Sequence, residues 1–109
     1  MKNVVNELGH NNRVIDIFKI DCEGCEWTTI SDWFTADVTL RQILVETHKS
    51  DVIKTPRFFD TLYENDYVIF HKEPNIAWSS GWNMAVEFAL LKLSPSFHAG
   101  YERAKGEAK

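Results

Sequence analysis

A chain of 109 residues holds one domain or part of one, and 44% hydrophobic with 13% aromatic content is enough to build a bulky core. The net charge is −4 and no run of Lys and Arg forms a stripe, so the electrostatic footprint of nucleic-acid binding is missing. No apolar segment approaches the ~20 residues that span a bilayer, and the opening stretch MKNVVNELGHNN lacks the apolar run of a signal peptide.

Val4, Val5 and Leu8 share a helical spacing and are followed by Gly9, which predicts the last turns of a helix closed by a glycine cap. A helix with almost no beginning implies that something precedes it. Val14 to Ile20 is short, β-branched and mostly apolar, the pattern of a strand buried on both faces in a parallel sheet. Gly24 breaks that pattern. Trp27, Ile30, Trp33 and Phe34 then recur at helical spacing, predicting a helix of ~10 residues with its aromatic face on the sheet.

Asp37 to Thr39 is expected to turn the chain, and Arg41 to Thr47 (RQILVET) reads as a second buried strand. Thr55-Pro56 supplies an N-cap followed by proline at the first helical position. Phe58, Phe59, Leu62 and Tyr63 then form one helix face, ended by a left-handed turn at Asn65-Asp66. Tyr67 to Phe70 is a third strand. Pro74 to Asn83 reads as a loop whose Trp78 and Trp82 either wall a substrate or fold back on the core. Met84 to Leu93 fits strand or helix; strand is preferred because a fourth strand is needed to cover the third. Beyond Pro95 the residues are small and charged, so the reading is a domain over 1–94 with a flexible tail over 95–109.

The order β-α-β-α-β-loop-β implies right-handed crossovers and a largely parallel sheet, with ligands beyond the carboxyl ends of the strands. Asp21 ends the first strand, Glu46 and His48 end the second, and His71 to Asn75 follow the third. These polar clusters are expected to converge on one edge. Asp21, Glu23, Glu46 and His48 together suit a divalent cation or general-base chemistry. Solvated strand ends are the alternative, with Asp21 or Glu23 beside the dipole of the following helix. Cys22 and Cys25 have the C-x-x-C spacing of redox and zinc motifs, yet no second cysteine pair completes a zinc site, and the spacing of His10, His48 and His71 does not supply one. Small buried hydrophobes are the other reading of the pair. Two cysteines are too few for a disulfide framework and fit a reducing, cytoplasmic compartment. Lys19, inside an apolar strand, is expected to pair with Asp16 or Asp21 or to reach the sheet edge, with a catalytic role as the alternative. His10 and His98 are expected at the surface.

The stretch IDIFKIDCEGCEW resembles S-adenosylmethionine-dependent methyltransferases of the FkbM type and related methyltransferase-like proteins. The resemblance is carried by Lys19, Ile20, Asp21, Glu23, Gly24, Glu26 and Trp27. LRQILVETH is similar to the family's next strand, ending in Glu46 and His48. FFDTLYENDYVIFHKEPN resembles the helix, strand and Glu-Pro-Asn loop that follow, and VEFALLKL the closing strand. The likeness runs from about Glu7 to Leu93.

The resemblance implies an α/β fold. It would be part of a seven-stranded Rossmann-like sheet, with flanking helices, holding strands four, five, seven and six in that spatial order and the seventh antiparallel. It implies transfer of a methyl group from S-adenosylmethionine to an oxygen or nitrogen acceptor on a small molecule or sugar. Asp21 would lie nearest the reacting groups, Glu46 or His48 would act as base or metal ligand, and Glu73 and Asn75 would line the acceptor side; no metal is assigned. The family's glycine-rich loop and ribose-binding acid belong to an N-terminal half. These residues contain five glycines and no G-x-G, so cofactor-binding residues are unassigned and the chain alone is expected to be inactive. The family commonly fills the two cysteine positions with small or apolar residues, which makes the cysteines bystanders. The readings in other classes are a non-catalytic module of the same fold, pairing through an open sheet edge, and a C-x-x-C metal or redox protein.

Overall fold

Helix α1 (Lys2–Glu7) ends where Gly9 takes a φ of +66°. With glycine in the left-handed region, the His10 N–H donates to the Val5 carbonyl (2.9 Å) and the Gly9 N–H to the Asn6 carbonyl (3.1 Å). This pair of bonds satisfies two end carbonyls in the Schellman manner, so the expected glycine cap is present.

The computed structural model describes residues 1–78 and 84–108, without the side chain of Trp78. The wall expected of Trp78 and Trp82 therefore lies outside the described residues. After α1 come β1 (Arg13–Ile20), α2 (Glu26–Trp33), β2 (Val38–His48), α3 (Lys54–Glu64), β3 (Tyr67–Pro74), β4 (Ala85–Lys92) and α4 (Pro95–Glu107). The four strands form one open sheet in the order β1-β2-β4-β3. β1 pairs parallel with β2, and β4 runs antiparallel between β2 and β3.

The α/β architecture is as expected, and the Met84–Leu93 ambiguity resolves to strand. The largely parallel sheet read from the element order is corrected in the direction that the resemblance implied, with the last strand antiparallel and lying between the second and third. β1, β2 and β3 do run in one direction, but β4 separates β2 from β3, so a single neighbouring pair is parallel.

The core lies where α2 and α3 pack on the sheet. Ile30, Trp33, Phe58 and Leu62 meet Ile43, Val45, Tyr67, Phe88 and Leu90 in one buried cluster. The aromatic rings meet edge to face, Phe18 with Trp33 at 5.3 Å and Trp33 with Phe58 at 5.8 Å between centroids, the geometry their quadrupoles favour. The expected helix faces hold except at Tyr63, which points outward and is 52% exposed. Tyr67 is buried, and its hydroxyl donates to the Leu40 carbonyl at 2.6 Å. Burial raises its phenol from the ordinary 10 to about 12, because the charged form loses its hydration.

β2 shows the alternation of a sheet covered on one side. Ile43, Val45 and Thr47 are buried, whereas Gln42, Leu44, Glu46 and His48 are half-buried. This corrects the reading of β1 as buried on both faces: Val14 and Ile17 are more than half exposed. Among the described residues β1 is an edge strand, with β2 as its one partner.

Boundaries also move. β2 begins at Val38, so the chain turns just before it. β3 continues through His71 to Pro74, paired with β4 as far as Pro74 opposite Val86. The apolar signal stops at Phe70, but the ladder is made by backbone groups and continues under polar side chains. α3 starts two residues earlier than the expected Pro56, and its N-cap is Ile53 instead of Thr55, with Asp51 serving the first free N–H groups. The Asp51 carboxylate accepts from the Ile53 and Lys54 N–H groups, while the Thr55 hydroxyl accepts from the Asp51 N–H. The Lys54 N–H bond in particular holds the Asp51 carboxyl below its usual range. Of Asn65-Asp66, only Asp66 is left-handed. The segment after Ser94 is helical, with the Ser94 hydroxyl capping it and no residue buried. Among the described residues no helix is long and apolar enough to cross a membrane.

Candidate functional site at the carboxyl ends of β1 and β2

The parallel register places Ile20 opposite Val45. Asp21, the first residue past β1, therefore emerges beside Glu46. The chain then turns through Glu23 (φ +55°) and Gly24 (φ +114°) into α2. A glutamate in the left-handed region is uncommon. Lys49, just past β2, is left-handed as well. Both of these non-glycine outliers sit at this one rim.

The first residue of α2 is Glu26, which is completely buried. Its spacing from Ile30 and Trp33 is i, i+4, i+7, so it belongs to the core-facing stripe of the helix. A buried carboxylate is costly unless donors surround it. Here Oε2 accepts from the Gly24 N–H at 2.9 Å, and Oε1 accepts from the His48 N–H at 2.6 Å. His48 Nδ1 lies 3.3 Å from the same Oε1. The Trp27 indole N–H donates to the His48 carbonyl at 2.6 Å. The start of α2 thus grips His48 by its N–H, its C=O and one ring nitrogen.

The other ring nitrogen faces the acids. His48 Nε2 is 3.6 Å from Asp21 Oδ1, 3.7 Å from Glu23 Oε2 and 3.6 Å from Glu46 Oε2. These separations are too long for hydrogen bonds and leave space for a cation or a substrate proton between the groups. Glu46 is only 11% exposed on its side chain, against 87% for Glu23. Its second oxygen accepts from the Asn75 side-chain amide at 2.8 Å, and the Asn75 N–H is bound to the Ala85 carbonyl.

Across the sheet, Glu46 stands opposite Glu87, and Glu87 opposite Glu73. Directly opposed like charges cost stability. Asp21, Glu46, His48 and Asn75 are thus brought together around a cleft of about 500 Å³ that Glu23 and Glu87 also line. Glu73 stands apart: it is exposed, lies 3.5 Å from His71, and lines a neighbouring recess with Asn75 and Glu87.

Two contributors were not among the expected site residues. Glu26 stood in the motif that carries the resemblance and in the Ile30–Trp33 stripe, yet was given no role. Glu87 had no signal, because its position beside Glu46 depends on strand register. Other expectations change. Asp16 pairs with Arg41 at 2.9 Å, not with Lys19. Lys19 lines a second recess with Asp21 and Glu46. His10 is half-buried, with Nδ1 enclosed and lacking a hydrogen-bond partner, while His98 is half-exposed and bonded to Asp66 at 3.1 Å. The cysteines are not independent buried hydrophobes: Cys22 and Cys25 are joined by a disulfide.

Asp21, Glu23 and His48 each offer a ligand atom, all within 4.8 Å of one another. Two carboxylates and an imidazole suit a divalent cation, and a histidine whose other nitrogen meets a buried carboxylate has the outer support that metal-binding imidazoles use. The same groups can instead take a proton from a hydroxyl or amine.

A family model described as a methyltransferase domain matches residues 1–92, which include all four strands of the sheet and the whole rim. The chain belongs to this methyltransferase-domain family. Neither the curated proteins nor the solved structures gave a match.

Proposed function

We propose that the chain forms the acceptor side of an S-adenosylmethionine-dependent methyltransferase with a Rossmann-like sheet, β1, β2, β3 and β4 being its fourth, fifth, sixth and seventh strands. The observation that carries this reading is the convergence of Asp21, Glu46 and His48 past the carboxyl ends of two parallel strands, where open α/β sheets bind ligands. The methyl carbon of a sulfonium needs no activation by the protein; the acceptor must be aligned with it and, if it is a hydroxyl, deprotonated. Asp21 lies nearest the reacting groups. Glu46, held by Asn75, or His48, held by Glu26, is the base or a cation ligand. Glu73 and Asn75 line the side on which a small-molecule or sugar acceptor enters. The glycine-rich turn that holds the cofactor comes from outside these residues, so the chain alone binds S-adenosylmethionine poorly.

Two measurements test this. In the full-length enzyme, Asp21→Asn lowers turnover by roughly 100-fold or more, the scale of a positioned acid or base, with little change in thermal stability; near-normal turnover contradicts the role. Calorimetry of the 109-residue chain with S-adenosylmethionine gives little heat, and tight binding would overturn the division between two halves.

A second reading rests on the unpaired edge of β1, where Val14 and Ile17 are exposed. Free strand edges recruit other strands, so the chain would serve as an interaction module. Sedimentation that stays monomeric across concentration removes this reading.

A further inference from the structure

Methyl transfer has no use for the C-x-x-C pair, yet the pair sits inside the segment that builds the rim. We propose that Cys22–Cys25 is a reversible thiol–disulfide site, acted on by a small thiol, and that its redox state sets how the Asp21–Glu26 turn is held against His48.

Three observations converge. Both cysteines are half-buried, within reach of a small reductant. The bond joins the residue after Asp21 to the residue before Glu26, so the two acids that flank His48 on its opposite ring nitrogens lie at the two ends of the closed loop. Enclosed in that loop are Glu23 and Gly24, both left-handed. An open chain has little reason to hold a glutamate there; a closed ring restricts the alternatives.

A further observation links the sulfur to His48 itself. Cys22 Sγ lies 3.5 Å from Glu26 Oε2, the oxygen that also accepts from the Gly24 N–H. In the disulfide the sulfur carries no proton, and this approach is only a contact. In the dithiol, Cys22 becomes an S–H donor to the buried carboxylate and shares that oxygen with the Gly24 N–H. Since the other oxygen of Glu26 accepts from the His48 N–H, the change is passed on to His48.

The chemistry balances with a thiol as the sole co-reactant. An external thiolate attacks Cys22 Sγ, the S–S bond breaks, and the electron pair leaves on Cys25 Sγ. Cys25 is the N-cap of α2, where the helix dipole favours negative charge. A second thiol cleaves the mixed disulfide and frees Cys22. The sum is one protein disulfide and two thiols giving one protein dithiol and one external disulfide, the two thiol protons ending on Cys22 and Cys25.

The test uses the full chain and no methyl donor, so its outcome is separate from that of the proposed methyl transfer. The chain is equilibrated in glutathione buffers of stepped ratio and trapped with a maleimide. Its amide spectrum is recorded at both ends of the series. Both cysteines should be protected in oxidised buffer, both labelled in reduced buffer, and protected again when the ratio is reversed. The Gly24 and His48 amide resonances should shift together with the labelling. Labelling of both cysteines in fully oxidised buffer would overturn the site. A His48 amide that stays fixed while Cys22 and Cys25 change state would overturn its coupling to the rim.

Discussion

The interior beneath α2 and α3 and the rim past β1 and β2 bury polar groups in opposite ways. In the interior the buried polar atom is a neutral phenol, Tyr67, satisfied by a single acceptor at Leu40. At the rim it is Glu26, whose two carboxylate oxygens draw donors from both the turn and β2. The interior is built for stability, with edge-to-face aromatics and closed aliphatic packing. The rim gives stability away, through opposed glutamates, left-handed Glu23 and Lys49, and a fully buried acid. Departures of this kind gather where a surface has to meet a ligand.

The contrast can be broken at its strongest point first. Phe58→Ala removes the ring that touches Trp27, Trp33 and Phe59. Denaturant unfolding should show a loss of about 3–5 kcal/mol, as for other buried phenylalanines. Glu26→Gln keeps the shape but sets an amide N–H against the Gly24 or His48 N–H. A loss of about 1–3 kcal/mol is expected for the unsatisfied donor, with faster hydrogen exchange at the His48 amide and none of that local effect in Phe58→Ala. A Glu26→Gln chain with unchanged exchange at His48 would erase the distinction between the two regions.

Tyr67→Phe is the smallest change, about 1 kcal/mol at neutral pH for one hydrogen bond. Its signature lies in the pH dependence. The folded phenol ionises near 12 and the unfolded one near 10. The unfolded state therefore loses its proton first, and stability present below pH 10 is lost as pH rises toward 12. The phenylalanine variant should unfold with a flatter alkaline limb; an identical limb would place the titration elsewhere.

Much of this was legible in the sequence because it is written in side chains. The Gly9 cap, the aromatic stripe of α2 and the Phe58–Leu62 face follow from residue spacing, while β4 followed from the need to cover β3 and from the family resemblance. Asp21, Glu46 and His48 could be placed on one rim because strand ends share an edge. What stayed hidden depends on partners. The exposure of Ile17 reflects what does not cover β1, and the extension of β3 through His71–Pro74 is a matter of backbone pairing. The row Glu46–Glu87–Glu73 exists only in the observed register. The spacing of Cys22 and Cys25 was compatible with metal, redox or inert roles, and the bond between them was visible only once the turn was folded.

The rim is one site only if His48 is shared between Glu26 on one side and the acids Asp21 and Glu46 on the other. Ring-proton NMR of His48 in the chain, in Asp21→Asn and in Glu46→Gln reads that arrangement directly. Each substitution should move the His48 ring resonances while leaving those of His98 in place. Ring resonances that ignore both substitutions would show that the ends of β1 and β2 do not form a common site.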